Sequence, residues 1–383
     1  MNTVCDINKC AGCSACIDVC PSDAIHIVDN VKSLNAVVDL NKCINCNACK
    51  NVCQEINKRE KKEPLLIKQG WAIDENIRKN GASGGIASAV SRQFLNSGGI
   101  VCASVFNSSG FVFDIIENEK DLIKIAGSRY IKSNPIYCYK KCKNLVIKGR
   151  KVLFIGLPCQ VASFKNYIPI QYHNLITTID LICHGTPSVK LFNTFLNQYK
   201  LNYSDFSDIK FRTKGVPNKY SSIKKYNVMD AYIIGFLNSL FHTDNCYECR
   251  YADINRVSDI TLGDSWGSEL SKKEIDKGIS LILCQNEKGK ELLDSSNIIL
   301  KDVNVKLAIK NNHQLKEPSL ISSHREWFFK NLKKGKSFNL LVMRVYPIKF
   351  MKQLIKQILI CLKLYSLGNG IKYCILKKRI EDE

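Results

Sequence analysis

Cys10-Ala11-Gly12-Cys13-Ser14-Ala15-Cys16-Ile17-Asp18-Val19-Cys20-Pro21 is the stretch on which the reading of this chain turns. Its cysteines are separated by two, two and three residues, and Cys43, Cys46, Cys49 and Cys53 repeat that spacing further on. This is the pattern of bacterial ferredoxins with two [4Fe–4S] clusters, in which the fourth cysteine of each run serves the other cluster. It assigns Cys10, Cys13, Cys16 and Cys53 to one cubane, and Cys43, Cys46, Cys49 and Cys20 to the other. Two-residue gaps let a tight loop wrap three soft thiolates around one cage. The gap residues Ala11, Gly12, Ser14, Ala15, Asn47 and Ala48 are small or polar, so backbone amides can approach the sulfides. Disulfides are disfavoured because nothing marks a secreted chain, and a zinc ribbon does not repeat a three-thiolate run twice. The implied chemistry is the movement of electrons one at a time.

A length of 383 residues leaves room for two or three domains and a sizeable core. Hydrophobic residues at 45% and charged residues at 24% are ordinary for a globular protein. Nineteen cysteines, and a start (Met1-Asn2-Thr3-Val4-Cys5-Asp6) with neither a basic nor an apolar leader region, set the expectation of a reducing cytoplasm. The net charge of +21 is uneven. Residues 1–60 hold six basic and seven acidic side chains, whereas residues 330–383 hold thirteen and three. A basic balance suits nucleic acid, an anionic membrane surface or an acidic partner. The neutral cluster module and the lack of aromatic-interleaved basic stretches in the core argue against nucleic acid.

Four segments are expected. Residues 1–60 form the ferredoxin-type domain, with Ala24–Val28 as the short strand after the first loop, and Lys58–Pro64 is a charged linker. In residues 65–148, Ser83-Gly84-Gly85 opens a helical segment, Ile86–Leu95, that Gly98-Gly99 closes. Such an entry suits a phosphate or flavin edge, and equally a plain turn. Ile100–Phe106 and Phe111–Ile116 then read as a hairpin. In residues 149–310, Lys151–Gly156 and Ile176–Ile182 are short buried strands, each followed by a helix, which implies a parallel βαβ unit. Cys159 and Cys183 fall just past those strand ends, where open α/β sheets build their sites. Cys246-x2-Cys249 reads as a zinc half-site, a redox dithiol or half of a cluster site; joined to Cys159 and Cys183 it offers four thiolates for a third [4Fe–4S] cluster. Cys138 and Cys142 compete for that role but sit at helical spacing in a lysine-rich stretch.

Ser83-Gly84-Gly85-Ile86, Gly156-Leu157-Pro158-Cys159-Gln160, Asp180-Leu181-Ile182-Cys183-His184-Gly185-Thr186-Pro187-Ser188, Cys246-x2-Cys249 and Asp259-x3-Gly263-Asp264-x-Trp266-Gly267 follow one another in a recognisable order. From about Cys5 to about Leu307 the chain resembles the coenzyme F-420 hydrogenase/dehydrogenase beta-subunit family, in the version with an N-terminal two-cluster ferredoxin module. The resemblance implies FAD, a further [4Fe–4S] cluster, and hydride exchange with a deazaflavin or another two-electron carrier. It carries flavin-binding roles to Ser83, Gly84, Gly85, Tyr130 and Ser133. His184 is the candidate proton donor, a role it shares equally with orienting its loop. One departure is Gln54, which follows Cys53 where proline is usual and is expected to loosen that loop.

The other departure is residues 320–383. Ile348, Met351, Ile355, Ile358, Leu359 and Leu362 share one helical face, with Lys349, Lys352, Gln353, Lys356 and Lys363 on the other. That helix either packs on its own domain or lies on a membrane surface. The expected fold is therefore α+β and α/β: a two-cluster ferredoxin module, a mixed α/β flavin- and cluster-binding domain with a parallel βαβ unit, and a basic helical tail. The expected function is that of a cytoplasmic iron–sulfur flavoprotein oxidoreductase, with a redox partner protein or a soluble two-electron carrier as partner and no nucleic acid. The alternative is a polyferredoxin-like electron-carrier subunit that docks a partner enzyme, one that serves polysaccharide synthesis.

Overall fold

The computed structural model describes residues 2–213, 219–220 and 228–362. Lys363 and the tail residues Lys372, Lys377, Lys378 and Arg379 lie outside the described residues.

The N-terminal module shows the near-repeat directly. Helix α1 (Ala15–Val19) carries Cys16, and α2 (Ala48–Val52) carries Cys49. Each is entered through a left-handed residue, Ser14 at φ 63° and Asn47 at φ 57°. Between them β1 (Ile25–Asp29) pairs antiparallel with β2 (Leu34–Val38).

A chain of alternating elements follows: β3 (Leu66–Ala72), α3 (Glu75–Asn80), α4 (Ile86–Asn96), the hairpin β4 (Ile100–Asn107) and β5 (Gly110–Ile116), α5 (Cys138–Ile147), β6 (Val152–Ile155), α6 (Pro158–Tyr167), β7 (Ile176–Leu181) and α7 (Val189–Asn197). A small ribbon, β8 (Arg212–Thr213) with β9 (Lys219–Tyr220), and α8 (Ala231–Leu237) lead to β10 (Ile260–Asp264), α9 (Lys272–Lys277), β11 (Ser280–Cys284), α10 (Glu287–Asp294), β12 (Ile298–Lys301) and α11 (Val305–Asn311). The chain then ends in α12 (Arg325–Lys333), α13 (Phe338–Val345) and α14 (Pro347–Cys361).

One eight-stranded sheet, in the order β12-β3-β11-β10-β7-β6-β4-β5, organises the rest. Its middle is parallel (β4·β6, β6·β7 and β7·β10), and both flanks are antiparallel. The apolar run of β6 has this cause: alternate side chains point to opposite faces, and both faces are covered. Val152 and Phe154 enter a core shared with α5, α6 and the ferredoxin module, while Leu153 and Ile155 enter a second core under α4. Segments 65–148 and 149–310 build this sheet together, since β3 lies between β11 and β12. A third, aromatic core gathers Phe192, Phe195, Phe211, Tyr232, Phe241, Phe328 and Phe338 from α7, α8, α12 and α13 and from the segments before β8 and after α8.

Candidate functional site

The eight ferredoxin cysteines divide by burial. Cys10, Cys13, Cys16 and Cys53 are buried around a small void, whereas Cys20, Cys43 and Cys49 are half-buried and Cys46 is exposed. Donors converge on the inner set: the Gly12 amide reaches Cys10 Sγ at 3.4 Å, and Ser163 Oγ of α6 reaches Cys13 Sγ at 3.0 Å. Tyr139 of α5 donates to the Cys13 carbonyl at 2.9 Å. Burial pushes the Cys13 thiol up to about 12. Cys5 is a fifth thiol at this void that no spacing rule identified. Its proximity to Cys10 and Cys53 lowers the pKa of both thiols.

The sheet then brings Cys159, Cys183, Cys246 and Cys249 to the wall of one cavity of about 310 Å³. Cys159 enters on the first turn of α6, which Pro158 starts and Gln160 caps by accepting from the Leu157 amide at 3.0 Å. Cys183 follows β7. Gly185, at φ 105°, turns the chain there, and an added Cβ would stand 2.7 Å from the buried His242 ring. Amides again point at sulfur, Gly185 to Cys183 and Thr186 to Cys246, each at 3.4 Å. Burial raises Cys183 and Cys249 to about 12. Among the described residues no three His, Cys, Asp or Glu side chains converge tightly enough to hold a single metal ion. Roomy, thiol-lined and rich in amide donors, this cavity fits a cubane. Cys138 and Cys142 are elsewhere, buried on α5 beside Cys102.

A second cavity, of about 420 Å³, opens on the other side of the same loop. Ser83, Gly85, Tyr130, Ser133 and His184 line it. Ser133 shares a 2.7 Å hydrogen bond with Ser104, and Tyr130 stacks on Phe236 with ring centres 4.5 Å apart. Gly84 corrects the expectation placed on it, because it does not line the cavity. A Cβ there would meet the Gly70 carbonyl oxygen at 2.3 Å and the Ser280 amide at 2.8 Å, so close packing of β3 and β11 demands the glycine.

Arg129, which lines this cavity, escaped the sequence reading. Its side chain is 8% exposed; Nη2 donates to the Lys124 carbonyl at 3.0 Å and lies 3.9 Å from Asp208, while Nε and Nη1 have no hydrogen-bond partner. Asp264 accepts from Arg212 at 2.6 Å, and the guanidinium lies 5.0 Å from the Trp266 ring centre. His184 is held through Nδ1 by Gln314 Nε2 at 2.7 Å, which also reaches His313 at 2.8 Å. Burial, then His313, lowers His184 to about 4, so its ring is neutral at physiological pH. Stacking surfaces, hydroxyls and a guanidinium with Nε and Nη1 unbonded fit a flavin carrying phosphates. Leu157, Cys183, His184, Gly185 and Thr186 line both cavities.

Comparison with known families finds three matches along the chain. The profile of the coenzyme F-420 hydrogenase/dehydrogenase beta subunit N-terminus covers residues 67–137, and that of its C-terminus covers residues 149–304. A 4Fe–4S dicluster domain covers residues 9–56. The chain belongs to the coenzyme F-420 hydrogenase/dehydrogenase beta-subunit family. It is an iron–sulfur oxidoreductase that transfers electrons. No curated protein matches it. Among solved structures, a chain of the F-420-reducing [NiFe] hydrogenase complex from Methanosarcina barkeri is similar at 16% identity, with a TM-score of 0.47, over 72% of this chain and 94% of that one.

Two family-motif positions turn out to be joints of the fold. Asp259, 2% exposed, accepts from the Thr178 amide at 2.7 Å and from Asn286 at 2.6 Å, with Lys165 and Lys288 each 3.6 Å away. It ties β7, α6 and α10 together. Gln54, where the family has proline, does not loosen its loop. It is buried, and its Oε1 accepts from Tyr251 at 2.7 Å, locking the ferredoxin module to the loop after Cys249.

Proposed function

We propose that this member of the beta-subunit family is a flavin-containing electron-splitting oxidoreductase with three [4Fe–4S] clusters. The shared wall between the two cavities carries the reading: a flavin in one lies directly against the thiols of the other. Cys10, Cys13, Cys16 and Cys53 would hold the inner ferredoxin cluster, Cys20, Cys43, Cys46 and Cys49 the outer one, and Cys159, Cys183, Cys246 and Cys249 the third. Ser83, Gly85, Tyr130, Ser133 and Arg129 would hold FAD, with Arg129 meeting the phosphates. Such a flavin exchanges two electrons with a carrier such as a deazaflavin and single electrons with a cluster.

The protein supplies order and protons. Gln314 occupies His184 Nδ1 as an acceptor, so Nε2 bears the ring proton and His184 acts as a neutral donor. Ser163 and Tyr139 fix the inner ferredoxin loop against α5 and α6. The ferredoxin module exposes Cys46, Leu40 (62%) and Ile44 (63%), and these would give a redox partner protein its point of contact. We propose the residue divisions 1–60, 65–148, 149–310 and 320–383 for these roles.

Anaerobically purified protein should show a flavin spectrum and hold about twelve irons, four per cubane. Cys246→Ser should lower this to about eight. Protein without flavin would favour the electron-carrier alternative, and eight irons unchanged by Cys246→Ser would remove the third cluster. Reduction assays with deazaflavin, nicotinamide and ferredoxin donors then select the carrier.

α14 supports a second proposal, attachment to an anionic membrane surface. No helix among the described residues is long and apolar enough to cross a membrane. Phe350 and Gln353 turn inward, Gln353 accepting from the Met229 amide at 3.1 Å, while Ile348, Met351, Leu354, Ile355, Ile358 and Leu362 are exposed. Lys349 and Lys352 are exposed along the border of that apolar strip.

A further inference from the structure

Lys9, Lys58 and Lys132 line the cavity of Cys159, Cys183, Cys246 and Cys249, and of these Lys132 is the buried one, 5% exposed. The segment carrying it is clamped on each side. Tyr232 donates to the Tyr130 carbonyl at 2.7 Å, Gln160 donates to the Ser133 carbonyl at 3.0 Å, and the Ser133 hydroxyl is bonded to Ser104. An ammonium in so dry a place needs a counter-charge close by. Among the described residues it forms no ion pair with a carboxylate. The sulfurs that line the same cavity, those of Cys159, Cys183, Cys246 and Cys249, are the groups placed to supply that charge once they ligate a cluster.

We infer that Lys132 is a positioning residue for electron transfer, a fixed buried cation that raises the reduction potential of a cluster held by Cys159, Cys183, Cys246 and Cys249. The inference rests on the third-cluster reading above. A thiolate-ligated cubane carries net negative charge that grows when it accepts an electron. A nearby fixed cation therefore stabilises the reduced form more than the oxidised form. No proton moves in this account; one electron is gained and the lysine stays charged. The third cluster thereby becomes a sink for electrons from the adjoining cavity.

The test is an anaerobic redox titration of full-length protein followed by electron paramagnetic resonance, with iron counted in the same samples. Wild type is compared with Lys132→Gln and Lys132→Arg. In Lys132→Gln the third cluster should be at least tenfold less reduced at a fixed potential, a fall of about 59 mV for a one-electron couple. The outer ferredoxin cluster should not move, and Lys132→Arg should stay near wild type. Loss of one cubane in Lys132→Gln but not in Lys132→Arg would also support charge compensation. An unmoved potential with about twelve irons retained, four per cubane, overturns the inference alone, as does an equal shift or loss in both variants. About eight irons in wild type overturns the third-cluster reading and this inference with it.

Discussion

Replacing Tyr251 with phenylalanine isolates the hydrogen bond that joins the ferredoxin module to the larger domain. Tyr251 and Gln54 are each 3% exposed, and their 2.7 Å contact gives Gln54 Oε1 its donor. Deleting only the hydroxyl leaves that oxygen buried and unsatisfied, which costs about 1–3 kcal/mol, more than the net value of the bond itself. Replacing both partners by apolar groups of similar shape removes the orphan, so Gln54→Leu with Tyr251→Phe should be less destabilised than the sum of the single variants. The expected coupling is about 1 kcal/mol, inside the range for contacting residues. Anaerobic urea unfolding, followed by loss of cluster absorbance and by far-ultraviolet circular dichroism, measures all four proteins. A Tyr251→Phe variant within about 0.3 kcal/mol of wild type, or strict additivity in the double variant, would refute the joint.

Two other predictions use hydrogen bonds and charges already described. Ser163→Ala removes the 3.0 Å donor to Cys13 and should lower the inner ferredoxin potential while leaving the outer cluster unchanged, as read by redox titration. Asp259→Asn strands Lys165 and Lys288 and should cost about 3 kcal/mol at pH 7, measured by urea unfolding. Burial raises the Asp259 carboxyl but Lys165 and Lys288 hold it below the ordinary carboxylate range. Its contribution is therefore complete above the unfolded value near ~4 and is lost as pH falls through the lower folded value. The wild-type advantage over Asp259→Asn should stay level from pH 8 to pH 5 and shrink only below about pH 4.

What could be read in advance was whatever rests on local spacing. The two ferredoxin runs needed only their gaps, and Val152–Ile155 needed only an unbroken apolar run to announce a strand covered on both sides. Cys159 and Cys183 follow β6 and β7, whose ends gather in one row whichever helices lie between. Residues whose role is set by a distant neighbour gave no such signal. β3 pairs with β11 and β12, some two hundred residues away, and nothing near Leu66–Ala72 specifies that partner. Cys5 stands outside the repeat, and Lys132 and Arg129 look like ordinary surface cations until the chain buries them. Gly84 shows the opposite failure: the glycine was conspicuous, but the space it preserves belongs to backbone and not to a ligand.

The exposed face of α14 is where sequence and structure agree on a pattern and the surroundings decide its use. Ile348, Ile355 and Leu362 are 70%, 53% and 60% exposed, although Phe338, Leu341 and Val342 one helix earlier are buried in the aromatic core. Truncation before Phe338 would thus damage the fold, so the informative variant changes only the strip, Ile355→Ser with Ile358→Ser. Sinking five or six such side chains to the headgroup boundary contributes on the order of 5 kcal/mol, well short of full burial for each. Lys349 and Lys352 add about 1 kcal/mol each near an anionic leaflet. The sum is enough for reversible attachment that salt weakens but does not abolish, since the apolar part is not screened. In sedimentation with vesicles containing anionic lipid, wild type should pellet at low salt and partly at high salt, and the double serine variant should pellet weakly at low salt only. Wild type that stays in the supernatant at low salt would end the membrane proposal. Pelleting that the serine variant matches at every salt concentration would assign the attraction to charge alone and leave the apolar strip without a part in it.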